Sequence, residues 1–301
     1  MSYIGIEAGG TKFVLAHGTN PSNLSHRTVI QTTTPQETLA QVRDAIHALT
    51  QHQPLKAIGI ACFGPIQLDR SHPHYGYITT TPKPGWQNQN IVGYFQQQFD
   101  VPIGFDTDVN ATALAEHYWG CAHGIDTFIY LTVGTGIGGG ALVQGQLLHG
   151  ALHPEMGHCI IQPHPDDSFK GVCPYHGNCL EGLASGPSLK ARYQVTSALS
   201  LTTDHPAWEL QADYLAQALA NYSLILSPKK IIMGGGVMRQ QQLFPLIREK
   251  LKQKINGYVQ HHYLNDPNYV CPPQLGENAG AAGALALAHA AVKTTQEPLY
   301  A

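Results

Sequence analysis

Two carboxylates stand two residues apart in Phe105-Asp106-Thr107-Asp108-Val109-Asn110-Ala111, where a run of β-formers gives way to an Ala-rich helical pattern. On an extended chain that offset aims both side chains the same way, but a turn at Asp108 breaks the rule. The helix dipole favours an ionised Asp at a helix start, which suits a general base. A plain N-cap calls for the same residue at the same place. Asp106 is compatible with orienting Asp108, with holding a loop, or with being a solvated carboxylate.

A second constellation is Cys173-x2-His176-x2-Cys179, three soft or borderline donors within seven residues. That spacing lets one loop wrap a tetrahedral Zn²⁺, and a fourth protein ligand would close the site to catalysis and make it structural. His153, His158 and His164 are the nearby imidazoles. A histidine must be neutral to bind, so such a site is pH-sensitive.

Three glycine clusters follow strand-like runs: Gly9-Gly10-Thr11-Lys12, Gly134-Thr135-Gly136 and Gly234-Gly235-Gly236. Glycine permits positive φ and close approach of backbone amides to phosphate oxygens. The stretch from Gly134 to Gly139 also fits G-x-G-x-x-G, but residues 140–145 read as strand and turn where a dinucleotide site needs a helix. The phosphate-cradle reading is therefore preferred to a dinucleotide fold.

The elements around these residues alternate strand and helix. Tyr3–Ala8 and Phe13–Ala16 read as a hairpin across the first glycine cluster. Thr34-Pro35-Gln36-Glu37 is a capped helix start, with Leu39, Val42, Ile46 and Leu49 at helical spacing. Ala57–Cys62 reads as a buried strand ending at Phe63-Gly64-Pro65, and residues 66–90 as a long loop containing Trp86. Helices are expected at Ile91–Phe99, Asp108–Trp119, Trp208–Leu226, Leu243–Ile255 and Asn278–Val292. Strands are expected at Val101–Phe105, Thr127–Val133, Ile137–Val143 and Lys230–Met233. The strand–glycine–strand pattern at 3–16 returns at 127–143, which suggests two related domains. A polar tail is expected after about Lys293.

The chain has 301 residues, 43% hydrophobic and 12% charged, with a formal net charge of −3. That is room for two folded domains. No Lys/Arg cluster marks a nucleic-acid or membrane surface. No run approaches the ~18 apolar residues of a membrane span, and no signal peptide precedes the first strand. A cytoplasmic protein with reduced thiols is expected, so the six cysteines point to metal before disulfides.

Several segments carry a family resemblance. Glu7-Ala8-Gly9-Gly10-Thr11-Lys12 resembles the phosphate loop of the ROK family of sugar kinases and repressors, and Phe105–Ala111 its catalytic segment. Pro154-Glu155-Met156-Gly157-His158 and Cys173–Glu181 resemble its sugar and zinc segments. The match runs in order from Tyr3 to about His289. Glu7 and Thr107, where many members carry Asp and Asn, are shared with the bacterial fructokinases, and His176 stands where the usual cluster has a third Cys. The resemblance implies an α/β, two-domain actin/sugar-kinase/Hsp70-like (ribonuclease H-like) fold with an interdomain cleft. The first domain would take 1–109 plus about 280–301. The second would take 110–279, with a zinc-binding insertion near 149–187. The resemblance also implies transfer of phosphate from ATP to a hexose, fructose foremost, with Asp108 as base and Mg²⁺ offsetting phosphate charge. Gly64, Pro65, Thr107, Asp108, Glu155, His158 and Glu181 would meet the sugar. Gly9, Gly10, Thr11, Lys12, Thr135, Gly136, Pro187, Gly234, Gly235, Gly236 and Val237 would meet ATP. His158, Cys173, His176 and Cys179 would hold structural Zn²⁺, and the family's habit suggests a homodimer. Glucose, mannose or N-acetylmannosamine kinases of the same fold are the alternatives. A sugar-sensing repressor is disfavoured, because the phosphate loop begins too early for a DNA-binding domain to precede it.

Overall fold

The computed structural model describes residues 2–81 and 83–296. The chain divides into two compact units. One is drawn from Met1–His123, Leu148–His153 and Gln274–Ala301, the other from Gly124–Leu147 and Pro154–Pro273.

In the first unit β1 (Ser2–Ala8) and β2 (Lys12–Gly18) form the expected hairpin, and β3 (Leu24–Gln31) extends it. The sequence reading misses β3 because it is an edge strand whose side chains are mostly exposed, so it lacks a buried face to alternate with. Helix α1 (Pro35–Thr50) starts where expected. Thr34 caps it, and Thr38, Leu39, Val42 and Ile46 turn inward. Strand β4 (Leu55–Cys62) pairs in parallel with β1. The long loop carries a small ladder of β5 (Tyr77–Ile78) and β6 (Gln89–Asn90) and leads into α2 (Ile91–Gln96). Strand β7 (Ile103–Thr107) comes next, parallel to β4, and α3 (Asp108–Trp119) begins directly after it. The sheet order is β3-β2-β1-β4-β7.

The closing helix, Ala279–Gln296, lies on this sheet, and three glycines make that possible. Gly5, Gly59 and Gly104 are in register on β1, β4 and β7. A Cβ on Gly59 would sit 1.9 Å from the Ala284 carbonyl oxygen, and one on Gly104 would sit 2.2 Å from that of Leu287. The Ala-rich face of the helix therefore rests on bare strand backbone. Helix α3 joins the same packing, since a Cβ on Gly283 would meet the backbone of Ala111 and Thr112 at 2.7–2.8 Å. This is why α3 belongs to the first unit, whereas the expected boundary at 109 would have cut it away. The closing helix also continues past the expected end at Val292. The end of the expected tail, 297–301, lies outside the described residues.

The second unit repeats the first sheet's order and directions. Its antiparallel strands are β8 (Phe128–Val133), β9 (Ile137–Val143) and β10 (Gln146–Leu147). Two parallel strands, β11 (Ile231–Gly234) and β12 (Val270–Cys271), pair on the other side of β8. The order is β10-β9-β8-β11-β12. Helices α4 (Leu180–Ala184), α5 (Gly186–Tyr193), α6 (Ala207–Leu226) and α7 (Leu243–Ile255) complete it. The predicted insertion at 149–187 is divided: Leu148–His153 packs with the first unit and the rest with the second. Among the described residues no helix is long and apolar enough to cross a membrane, and none of their cysteines is in a disulfide.

Candidate active site and metal centre

Strand β7 runs two residues past its expected end, and this decides the carboxylates. Thr107 becomes the N-cap of α3, its Oγ1 accepting the Asn110 amide at 3.2 Å. Asp108 becomes the first helical residue, and its side chain is exposed. The cap reading of Asp108 is thereby displaced. One of its oxygens accepts the Val109 amide at 2.9 Å, so the carboxylate lies over the positive end of α3. Thr107 was expected to meet substrate. It is 4% exposed, and its hydroxyl holds the cap.

Asp106 is not solvated. Its Oδ1 accepts the Thr107 amide at 2.7 Å and the Asn110 Nδ2 at 2.8 Å. Its Oδ2 lies 2.7 Å from His149 Nε2. The Asp106 carboxylate, through this hydrogen bond, holds His149 above its ordinary pKa despite partial burial. The sequence reading missed Asn110 and His149. Asn110 sits four residues beyond Asp106, a step from strand end to first helical turn that could have been noticed. His149 carries no local signal, because its contact closes a 43-residue separation.

The loop after β4 holds Gly64 and Pro65, both half-buried and joined by a cis peptide. Cys62 pairs opposite Thr107, so this loop and Asp108 leave the sheet at the same level. Trp86 is core: it is fully buried, donates Nε1–H to the Thr33 carbonyl at 3.0 Å and packs on Phe13 and Phe63. In the first glycine turn Thr11 and Lys12 are exposed. The turn is closed by Gly9 N–H on the Lys12 carbonyl at 3.1 Å, and Thr32 Oγ1 donates to the Gly9 carbonyl at 2.7 Å. Neither Gly9 nor Gly10 has positive φ, so the expected conformational reason for them does not apply.

The second unit gathers the other nucleotide candidates. Gly134 N–H bonds the Gly136 carbonyl at 2.8 Å, and Gly186 N–H bonds the Gly134 carbonyl at 2.7 Å. Gly186 also faces Val237, and Gly134 faces the Gly236 amide. Thr135–Gly136, Pro187 and Gly234–Val237 thus converge on one patch. Here a positive φ is used: Gly235 has φ 92°, and a Cβ there would lie 2.5 Å from the Val133 carbonyl oxygen.

Glu181, expected at the sugar, is part of this patch as well. Its Oε2 accepts the Ile137 amide at 2.8 Å, beside Gly136. Glu155 is exposed just ahead of the Met156–His158 turn, which rests so closely on the start of β9 that a Cβ on Gly157 would overlap the Ile137 carbonyl oxygen.

His158, Cys173, His176 and Cys179 present donor atoms that all lie within 4.8 Å of one another. His158 Nδ1 is 3.8 Å from Cys173 Sγ and 3.6 Å from Cys179 Sγ, and Cys173 Sγ is 3.6 Å from His176 Nδ1. A tetrahedral zinc with bonds of ~2.0–2.3 Å has donor–donor edges of roughly 3.3–3.8 Å. These three edges fall in that range, and two thiols with two imidazoles are a donor set that zinc takes. Burial pushes the Cys179 thiol up to about 11, a cost that a coordinated dication would reverse by ionising it. The gathered imidazole is His158, whereas His153 packs in the first unit with its Nε2 on the Ile66 amide, and His164 is not among the four.

A family model described as ROK family matches residues 3–291. Over 288 residues the chain is 46% identical to a fructokinase of Pediococcus pentosaceus, covering 96% of this chain and 98% of that one. It is 43% identical over 290 residues to a fructokinase of Zymomonas mobilis, covering 95% and 96%. A crystal structure of a ROK hexokinase from Thermus thermophilus superposes with a TM-score of 0.78 at 26% identity, covering 97% of this chain and 99% of that chain. With two α/β units of the actin/sugar-kinase kind and a family match over nearly its whole length, the chain belongs to the ROK family.

Proposed function

We propose that this protein is an ATP-dependent sugar kinase that converts D-fructose to fructose 6-phosphate. The observation that carries the chemistry is Asp108, an exposed carboxylate at the first position of α3, with capping assigned to Thr107. The similarity to two fructokinases at 43–46% identity supports the choice of sugar.

The sugar hydroxyl oxygen attacks the γ-phosphorus of ATP. Its proton passes to Asp108, the bond to the β–γ bridging oxygen breaks, and ADP leaves. Phosphoryl transfer asks mainly for positioning and charge stabilisation, so one well-placed base suffices. The amides and side chains of Gly9, Gly10, Thr11 and Lys12 are assigned to ATP phosphates, as are Thr135 and Gly136. Pro187 and Gly234–Val237 are assigned to the adenosine side. Mg²⁺ bound with ATP supplies a counter-charge for the phosphates. Gly64, Pro65, Glu155 and His158 are assigned to sugar hydroxyls, and Glu181 to both the sugar and the 136–137 turn. His158, Cys173, His176 and Cys179 are assigned to a structural Zn²⁺, which would fix the loop carrying Glu181. A homodimer is proposed from the family alone.

An ADP-release assay with Mg-ATP over fructose, glucose, mannose and N-acetylmannosamine tests this. Fructose is expected to give the highest kcat/KM. If only another sugar turns over, the choice of fructose is wrong, and if none exceeds the ATP-only blank, the kinase reading fails.

A further inference from the structure

The segment Leu148–His153 is tied into the first unit by two imidazoles. His153 Nε2 accepts the Ile66 amide at 3.2 Å, on the loop after β4. His149 Nε2 lies 2.7 Å from Asp106 Oδ2, near the end of β7. Since β4 and β7 are parallel and end level, both ties are at the carboxyl end of the sheet. That is the end at which open α/β sheets present their ligand sites. Gly64 and Pro65 leave β4 there, and Asp108 begins α3 there.

The two imidazoles differ in one respect. His153 is 6% exposed, as expected for a residue that only fastens the segment. The His149 side chain is 39% exposed although its partner Asp106 is only 3% exposed. Asp106 Oδ1 is already filled by two N–H donors, so Oδ2 takes its bond from a protonated His149 Nε2. Ring geometry then turns Nδ1 away from Asp106.

We propose that His149 is a specificity-determining residue of this kinase, its ring fixed by Asp106 and its Nδ1 hydrogen-bonded to a hydroxyl of the sugar. This rests on the sugar-kinase reading above. With Nε2–H spent on Asp106, Nδ1 accepts from a hydroxyl in the neutral ring and donates to one in the protonated ring. A sugar hydroxyl serves it in either state, and the raised pKa of His149 favours the donating one.

The test is His149→Gln. The Gln side-chain amide can still donate to Asp106 but offers nothing in the place of Nδ1. KM for fructose, and the fructose Kd measured by calorimetry without ATP, are expected to rise about tenfold, the scale of one well-made hydrogen bond. KM for ATP is expected to stay at its wild-type value. Wild-type fructose affinity in His149→Gln overturns the proposal, and so does an equal loss of ATP affinity. If His149→Gln melts lower, His149→Ala decides by the same two readouts: a fructose-only loss supports the contact, and a shared loss overturns it. A wild-type protein that phosphorylates no sugar sinks the kinase reading itself. An active wild type with an unchanged His149→Gln sinks only this inference.

Discussion

Thr107 takes the cap of α3 that its neighbour Asp108 could also have filled, and so leaves that carboxylate uncommitted to capping. The Thr107 hydroxyl accepts the Asn110 amide at 3.2 Å and so caps α3, and Asp108, one residue on, presents an exposed carboxylate at the helix start. Asp108→Asn should lower kcat by roughly 10²- to 10⁴-fold and leave ATP affinity near wild type. Steady-state kinetics with a separate nucleotide titration checks this, and near-normal kcat would remove Asp108 as the base. Thr107→Ala should instead cost stability, about 1 kcal/mol, through the lost cap.

Glu181 has a backbone partner in addition to any substrate role. Its Oε2 holds the Ile137 amide at 2.8 Å beside Gly136. Glu181→Gln keeps an oxygen acceptor for that amide, whereas Glu181→Ala loses it. Glu181→Ala should raise KM for both ATP and sugar, and Glu181→Gln mainly that for sugar. Equal ATP KM values in the two variants would show that this carboxylate's hold on the 136–137 turn does not bear on ATP binding.

The four donors His158, Cys173, His176 and Cys179 predict about one zinc per chain by elemental analysis. Cys179→Ser should lose the metal and melt several degrees lower. Metal-free protein with an unchanged melting temperature would remove the structural role.

The His149–Asp106 pair predicts a pH dependence of stability. The folded pKa of His149 is raised, so the pair's contribution is full below the ordinary imidazole value of 6.5 and is lost as pH climbs through the raised folded value. Denaturant titrations from pH 6 upward should show this loss in the wild type and less of it in Asp106→Asn. Equal slopes in both would mean that the pair contributes nothing.

The glycine seat of the closing helix is expected to be intolerant. Gly59→Val places a side chain where the Ala284 carbonyl and Ala288 amide already stand, at 1.9 and 2.5 Å from the Cβ position. Backbone cannot step aside as a side-chain end can, so a loss of roughly 3 kcal/mol or more is expected. A melting temperature within a degree or two of wild type would contradict this packing.

Sequence alone determined the larger elements, the family resemblance and most of the candidate residues. The first hairpin with its glycine turn, the Thr34 cap and the strands at 57–62 and 137–143 are local patterns of period and turn chemistry. The spacing of Cys173, His176 and Cys179 is likewise local, because one short loop carries all three. What needed the tertiary structure involves residues far apart in the chain, or strand ends one or two residues from their expected places. Strand β7 ends at Thr107 rather than Phe105, and those two residues decide which side chain caps α3 and which carboxylate is left exposed at the helix start. His149 reaches Asp106 across 43 positions, and His158 rather than His153 or His164 joins the cysteines. Glu181 meets the Ile137 amide 44 residues away. Such contacts are set by how strands register and loops close on the whole sheet, and a linear pattern carries no record of that closure.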